Sequence, residues 1–203
     1  GNDPVFASET RRYSAEWRQE RMDHYQPLIT HFEKLKTLAD VLGEHGYASL
    51  QTGKWWMGNF KTGGFDRGMT HGDPTNGGRH GDAGLEIGRA GLQVIYDFID
   101  STATANQPFF IWYAPFMPHT PHTPPDSLKR KYLNRAPTEA VADYWAMCEW
   151  FDSTCGQLMD YIDRKGLSEN TLFVYVTDNG WIQDPDRPGR YAPRSKREPY
   201  EMG

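Results

Sequence analysis

The sequence has little cysteine, no long apolar run and no excess of charge of one sign. Its 203 residues include only Cys148 and Cys155, whose spacing corresponds to about 10 Å along a helix axis. A disulfide tolerates roughly 7 Å between Cα atoms, so the two thiols are not expected to pair with each other. No apolar stretch approaches the ~20 residues of a membrane span, and no signal peptide is visible. With acids and bases mixed at a net charge of -5, nothing indicates a nucleic-acid-binding surface.

The length is sufficient for one α/β domain with a sizeable core. No repeat and no internal domain boundary is visible. The chain begins at Gly1 rather than Met and ends just after Pro199-Tyr200-Glu201. We therefore expect residues 1–203 to be part of a single domain, truncated at both ends.

Helical and strand patterns alternate along the chain. Helical spacing of apolar residues predicts helices over 32–45, 85–99 and 139–165. Residues 1–30 are polar and irregular, and we interpret them as surface, with a short helix over 14–24. Short runs of β-branched and aromatic residues predict buried strands over 47–52, 108–114 and 172–176. The run at 108–114 is almost wholly apolar, which suits a strand covered on both faces. Such alternation predicts an α/β fold with a mostly parallel sheet and helices on both faces.

Each predicted strand is followed by polar side chains that can carry chemistry. Lys54 follows the first strand, His119 and His122 follow the second in a proline-rich loop, and Asp178 and Asn179 follow the third. Parallel strands end at the same edge of a sheet, where ligands of α/β proteins bind. The sequence therefore predicts a common site that contains these side chains and Lys196 from the tail.

A long loop over residues 61–84 carries eight glycines together with His71, Asp73, His80 and Asp82. Loops of this length are usually functional or disordered. The spacing of these side chains fits no standard metal site, so we interpret the loop as a substrate-facing lid, with a metal site as the alternative.

The residue types at the predicted site suit an anion and a divalent cation. Asp178 and Asn179 offer hard oxygen ligands of the kind that Ca²⁺ or Mg²⁺ prefers, although an Asx turn is the simpler interpretation of this pair. Lys54 and Lys196 can hold a phosphate-like or sulfate-like group. His119 has a side chain suited to protonating a leaving oxygen.

Four ordered motifs make the chain resemble the sulfatase family from about Thr37 onward. They are Gly53-Lys54-Trp55 with Gly58, Pro118-His119-Thr120-Pro121-His122, Thr177-Asp178-Asn179-Gly180, and Lys196 with Pro199-Tyr200-Glu201. The resemblance implies an alkaline-phosphatase-like α/β fold and hydrolysis of a small-molecule or carbohydrate sulfate ester. It also implies a formylglycine made from Cys or Ser, one Ca²⁺ ion and a periplasmic or extracellular location. It indicates no oligomeric state.

By the same resemblance, individual residues take roles at their matching positions. Asp178 and Asn179 correspond to metal ligands, Lys54 and Lys196 to sulfate-binding residues, and His119 to the histidine near the leaving oxygen. Trp55 and Gly58 correspond to structural positions. Aromatic side chains near the site offer a surface for a sugar ring, but core packing explains them equally well.

The chain also departs from the family pattern. Trp56 stands where the family usually has His, and the residues around Lys196 match imperfectly. No Cys-x-Pro-x-Arg or Ser-x-Pro-x-Arg motif is present, so the family's nucleophile is missing. We expect an internal fragment that is inactive alone, carrying the sulfate- and metal-binding half of a sulfatase catalytic site. A phosphatase or phosphodiesterase of the same fold and a non-catalytic anion-binding domain are the alternatives.

Overall fold

The computed structural model describes residues 15–72, 81–119 and 121–177. The chain divides into two compact units, Gly1–Phe116 and Met117–Gly203. The division falls at the start of the proline-rich loop, although the sequence shows no domain boundary there. Prolines cannot continue a helix or an interior strand, so this stretch joins the units as an irregular segment.

The first unit holds three helices and three strands among its described residues. The helices are α1 (Ala15–Phe32), α2 (Leu38–Glu44) and α3 (Gln93–Thr104). The strands are β1 (Ala48–Gly53), β2 (Arg67–Gly68) and β3 (Phe109–Ala114). Short 3-10 helices span Phe60–Gly63 and Asp82–Glu86.

The three strands form one parallel sheet in the order β2-β1-β3. Between β1 and β3, Ala48 is opposite Phe109 and Gly53 is opposite Ala114. The carboxyl ends of these strands therefore lie side by side, which confirms the predicted parallel arrangement. The short strand β2 lies inside the predicted loop 61–84, so the described part of that stretch contains a strand that the sequence did not predict.

The single helix predicted over 32–45 is wrong at its start. Helix α1 continues through Phe32, beyond the predicted end at residue 24, and α2 begins only at Leu38. Thr37 caps α2: its Oγ1 accepts from the Asp40 amide at 3.2 Å, and Asp40 Oδ2 accepts from the Thr37 amide at 2.8 Å. This capping box marks a new helix start, because it satisfies amides that lack partners within the helix.

The helix predicted over 85–99 begins later than its apolar spacing suggested. Gly88 and Gly91 have φ angles of 83° and 104°, which a right-handed helix does not accommodate. The stretch therefore divides into the 3-10 helix Asp82–Glu86 and α3. On helix α3 the side chains of Ile95 and Phe98 are at most 2% exposed.

Side-chain burial in the sheet does not follow the hydrophobicity of its strands. Three polar side chains of β1, those of Ser49, Gln51 and Thr52, are almost fully buried. On the apolar strand β3, by contrast, Trp112 is 41% exposed and the remaining side chains are half-buried. The prediction that residues 108–114 are covered on both faces is therefore wrong in this structure.

The second unit is built on the long helix α5. Its helices are α4 (Asp126–Lys129) and α5 (Glu139–Arg164), with a 3-10 helix over Ser168–Asn170. Thr138 caps α5 by accepting a hydrogen bond from the Val141 amide at 3.3 Å. Gly166, with φ of 69°, follows the helix. The predicted helix over 139–165 and its glycine stop are confirmed.

Both cysteines lie on α5 as free thiols, and both are half-buried. Burial raises the pKa of each thiol above its ordinary value, so both are protonated at neutral pH. The absence of a Cys148–Cys155 disulfide is confirmed, and the pair is structural in character. In the part of the chain that the structure describes, no helix has both the length and the apolarity to cross a bilayer.

The segment over residues 172–176 is not a buried strand, and this prediction is wrong. Residues 171–177 form no regular element, and the side chains of Leu172, Val174 and Val176 are 75–86% exposed. A strand forms only where a neighbouring strand supplies hydrogen bonds. All the strand pairing in the described ranges lies in the first unit, and none of it includes 171–177.

Candidate functional site

The first site residue, Lys54, is held by its backbone at the point where β1 ends. Its amide donates to the Ala114 carbonyl at 2.7 Å, and its own carbonyl accepts from Trp112 Nε1 at 3.3 Å. Gly53 precedes it with φ of 79°, and a Cβ on Gly53 would lie 1.9 Å from the Ala114 oxygen. Only glycine fits this close approach, so the chain turns sharply and places Lys54 at the carboxyl edge of the sheet.

A buried polar network lies beneath this turn. Gln51 Nε2 donates to the Gly53 carbonyl at 3.0 Å, and Gln51 Oε1 accepts from the Thr70 amide at 3.1 Å. Thr70 Oγ1 donates to the Gly81 carbonyl at 3.0 Å. Gln51 and Thr70 are both fully buried. The network connects the end of β1 to the two sides of the loop that follows β2, so it fixes the base of the site.

The carboxylate of Asp82 connects the two ends of the same loop. It accepts hydrogen bonds from the His71 amide at 2.9 and 3.1 Å and from the Ala83 amide at 2.7 Å, and the residue is 6% exposed. Asp82 therefore has a structural role. Within the described ranges, no group of three or more His, Cys, Asp or Glu side chains can hold a metal ion. Asp73 and His80, the other members of the alternative metal site, lie outside the described residues.

The ammonium of Lys54 is close to two aromatic rings. Its Nζ atom lies 5.3 Å from the Trp56 ring centroid and 5.4 Å from that of Phe116. Cation–π attraction at these distances limits the rotamers of the lysine side chain. Phe116 is tethered, since its carbonyl accepts from Arg89 Nη2 at 3.2 Å. We call Lys54, Trp56 and Phe116 the Lys54 cluster.

Trp55 points away from this chemistry and packs into the first unit. Its ring makes edge-to-face contacts with Phe32, Phe65 and Trp112, and its Nε1 donates to the Met57 carbonyl at 3.0 Å. The structural interpretation of Trp55 is confirmed. Gly58 agrees with it too: its φ is 71°, and a Cβ there would lie 2.8 Å from a hydroxyl oxygen.

The two histidines of the proline-rich loop lie in the second unit. His119 is half-buried, and the adjacent Thr120 lies outside the described residues. His122 packs against Tyr144 of α5, with ring centroids 5.5 Å apart. Burial, with a smaller contribution from Cys148, raises the pKa of Tyr144, so this phenol stays neutral. The His122 ring is thus held in place by its contact with α5. The role of His119 at the leaving oxygen stays a prediction.

Three of the five predicted site residues lie outside the described residues. These are Asp178, Asn179 and Lys196. Their roles as metal ligands and as the second sulfate-binding lysine stay predictions, as does the common cleft with Lys54 and His119.

Sequence reasoning missed the residues that surround Lys54. Phe116 lies among prolines, and Gln51 lies within a run that predicts an ordinary strand. A signal for Gln51 was present, because a polar amide inside a strand next to a glycine turn needs buried hydrogen-bond partners. Arg89 gave no local signal. Burial lowers its pKa from the ordinary value, and its link to Phe116 depends on residues far apart in sequence.

A parallel sheet with flanking helices defines an α/β protein, and Lys54 lies at the carboxyl edge of the sheet, where proteins of this class bind ligands. The sulfatase family model matches residues 5–200, and the chain therefore belongs to the sulfatase family.

Two curated relatives agree with this membership. A sulfatase of Formosa agariphila is 30% identical over 105 residues, which are 45% of this chain and 18% of the relative. The uncharacterized sulfatase YdeN of Escherichia coli K12 is 25% identical over 108 residues, which are 52% of this chain and 19% of the relative. The chain thus spans about a fifth of the length of these relatives.

Solved structures share the fold. The crystal structure of Ps i-CgsB in complex with k-i-k-neocarrahexaose has a TM-score of 0.56 and 20% identity, covering 68% of this chain and 38% of that one. Ps i-CgsB solved alone gives 0.55 and 21% with the same coverage. With the parallel sheet and the family match, these neighbours confirm the predicted α/β, alkaline-phosphatase-like fold class.

Proposed function

We propose that this chain is the sulfate- and metal-binding part of a longer sulfuric ester hydrolase. The observation that carries the proposal is the position of Lys54, whose backbone is held at the carboxyl edge of the sheet by hydrogen bonds to Ala114 and Trp112. A positive charge at this position suits a sulfate group. The family match supports sulfate rather than another anion. The short span relative to the curated relatives supports a longer enzyme.

In the proposed reaction a nucleophile from outside this chain forms a bond to sulfur while the bond between sulfur and the leaving oxygen breaks. Lys54 and Lys196 balance the negative charge on the sulfate oxygens, and His119 gives a proton to the leaving oxygen, which departs as a hydroxyl. These groups act by stabilising charge as it develops. Removing one such preorganised contact typically costs about 10²–10³ in turnover.

The metal proposal rests on donor chemistry. Asp178 and Asn179 offer the oxygen atoms that Ca²⁺ prefers, so the residue types fit one divalent cation. When bound, such a cation polarises the sulfate oxygens. Two residues fall short of the roughly 6–8 oxygens that Ca²⁺ takes, so we expect further ligands from outside this chain. The nucleophile, a formylglycine in the family that the chain resembles, must also come from elsewhere, since no Cys-x-Pro-x-Arg or Ser-x-Pro-x-Arg is present.

The full-length protein tests the proposal through Lys54→Ala. We expect hydrolysis of nitrophenyl sulfate to fall by about 10²–10³ in kcat, because the charge on the sulfate loses its partner. Lys61→Ala is the matched control, since Lys61 is an exposed lysine of the same segment, and it should change kcat less than about twofold. Unchanged turnover in Lys54→Ala would remove Lys54 from the site.

Two further activity measurements separate the proposed function from the alternatives. Faster hydrolysis of nitrophenyl phosphate than of the sulfate by the wild-type protein would favour a phosphatase of the same fold. The 203-residue chain alone should hydrolyse no aryl sulfate above background, with or without Ca²⁺. Metal-dependent hydrolysis by the chain alone would place a nucleophile within it and end the half-site proposal.

A further inference from the structure

Arg89 lies in a turn whose two ends are anchored in the core of the first unit. The turn precedes α3, and the side chains of Ile87 and Leu92 on either side of it are 2% and 3% exposed. The Gly88 amide donates to the Gly91 carbonyl at 3.0 Å, which closes the turn. The backbone of Arg89 is therefore held in place on both sides.

From this turn the Arg89 side chain reaches the loop that follows β3. Its Nη2 atom donates to the Phe116 carbonyl at 3.2 Å. Strand β3 ends at Ala114, so Phe116 lies beyond the hydrogen bonds that align this strand with β1. A hydrogen bond from a charged donor is stronger than one between neutral groups, and arginine keeps its charge inside proteins. The Arg89 bond therefore helps to hold the backbone of Phe116 at a point that the pairing of the strands does not reach.

The Phe116 ring is one of the two rings beside Lys54. Its centroid lies 5.4 Å from Lys54 Nζ, and that of the Trp56 ring lies 5.3 Å from the same atom. A lysine ammonium sits at the end of a flexible four-carbon stem, so the backbone bonds of Lys54 do not by themselves fix its charge. The two rings restrict where the ammonium lies, and the place of the Phe116 ring depends on the backbone that Arg89 binds.

We propose that Arg89 is a positioning residue of the sulfate site. By binding the Phe116 carbonyl it holds the Phe116 ring against the Lys54 ammonium, and the ring keeps this charge where a sulfate oxygen meets it. Arg89 thus acts through Phe116 and Lys54 and not by a contact with the sulfate. This inference rests on the proposed function, because it takes the sulfate to bind at Lys54.

A spectroscopic test follows the Lys54 side chain directly. In the full-length protein with ¹³C-labelled lysine, the Cε–H signal of Lys54 is identified by its disappearance in Lys54→Ala. Ring currents from Phe116 and Trp56 displace this signal from that of an exposed lysine such as Lys61. We expect Arg89→Met and Phe116→Leu each to move it toward the Lys61 signal, because the ammonium loses one ring. Adding Arg89→Met to Phe116→Leu should move it no further, since the ring that Arg89 positions is already gone.

Turnover tests whether this position matters for the reaction. We expect Arg89→Met to lower kcat for nitrophenyl sulfate by roughly tenfold, because a misplaced charge stabilises the transition state less well. Arg89→Lys should recover kcat to within about threefold of the wild type, because its ammonium also donates to a carbonyl. In the Lys54→Ala background, Arg89→Met should change kcat less than about twofold, because its effect passes through Lys54.

The matched control is Arg67→Met. Arg67, also in the first unit, donates from Nη1 to Ser101 Oγ at 3.3 Å, and its guanidinium carbon lies 5.6 Å from the centroid of the Phe98 ring. The change therefore removes an arginine with a comparable hydrogen bond from another place in the same unit. It should leave the Lys54 signal where it is and kcat within about twofold.

Three results would overturn the inference. They are an unmoved Lys54 signal in Arg89→Met, an Arg89→Lys variant as impaired as Arg89→Met, and equal losses of kcat from Arg89→Met with and without Lys54. The last result would mean that Arg89 acts on the sulfate directly or only through the stability of the fold. A wild-type protein that hydrolyses no sulfate ester contradicts the proposed function instead, and the NMR comparison then still decides whether Arg89 positions Lys54.

Discussion

Strand β1 and the segment over residues 172–176 differ in a way that composition alone does not explain. Strand β1 carries polar side chains, yet Ser49, Gln51 and Thr52 are at most 1% exposed. The segment 172–176 consists of apolar side chains, yet their exposure runs from 49% to 86%. The difference lies in hydrogen bonding. Strand β1 has a strand on each side and side-chain partners for its buried amide, whereas residues 171–177 join no strand in the described ranges.

This contrast shows which interactions specify the site. Hydrophobicity favours burial, but a strand is placed by its neighbours and by the satisfaction of its polar groups. At β1 those partners hold the turn that precedes Lys54, so the polar network supports both the fold and the position of this lysine. Substitutions that remove a partner should therefore cost more than those that remove apolar area from the exposed segment.

The largest loss of stability is expected from Gly53→Ala. The added Cβ would collide with the Ala114 carbonyl, and the backbone at φ of 79° resists any residue with a side chain. We expect a loss of about 3 kcal/mol or more in the free energy of unfolding, measured by urea denaturation. Gly43→Ala is the matched control: nothing lies within 4 Å of its added Cβ, and α2 should gain about 0.5–1 kcal/mol. Equal effects of the two changes would contradict the close approach at Gly53.

A smaller loss in the free energy of unfolding is expected from Gln51→Leu. The change leaves the Gly53 carbonyl and the Thr70 amide without their amide partner in a buried place, which should cost about 2–3 kcal/mol. Gln107→Leu serves as control, since the side chain of this exposed glutamine donates to the Gly46 carbonyl, and the loss of that bond should cost less than about 1 kcal/mol. A tolerated Gln51→Leu would mean that the network beneath Lys54 contributes little to stability.

The smallest effect is expected from Val174→Thr, which directly tests the exposed segment. With 75% of its side chain exposed, this valine should accept a hydroxyl within about 0.5 kcal/mol. The same substitution at Val141, only 4% exposed on α5, should cost about 1–3 kcal/mol because it buries a hydroxyl. Similar losses at both positions would show that residues 172–176 become a buried strand in solution, as the sequence pattern predicts.

The parts of the fold that the sequence predicted well have strong local signals. Helix α5 has a long apolar stripe, a threonine cap and a glycine stop, and its predicted and observed bounds nearly coincide. Strands β1 and β3 were also found, together with their parallel direction. The error over residues 32–45 arose where two local signals, the apolar spacing and a helix cap, compete. The capping box of Thr37 and Asp40 divides one predicted helix into two.

At the candidate site, motif order identified Lys54 and the family, while the surroundings of Lys54 could not be predicted. The rings of Trp56 and Phe116 approach Lys54 from different strand ends, and Gln51 reaches Thr70 across 19 positions of sequence. Contacts of this kind depend on the folded backbone. No periodicity in the sequence encodes them, and only a structure or a set of related sequences reveals them.

The anchoring of Lys54 through main-chain atoms has a consequence for how the site can change over time. Because the turn is specified by Gly53 and by carbonyl and amide groups, the side chains at positions 54 and 56 contribute little to holding it in place. Mutations at position 56 can therefore be sampled at low cost in stability, while the backbone of Lys54 stays in place. A lineage with this turn can exchange one ring at position 56 for another in single steps, each of which leaves a folded protein for selection to act on.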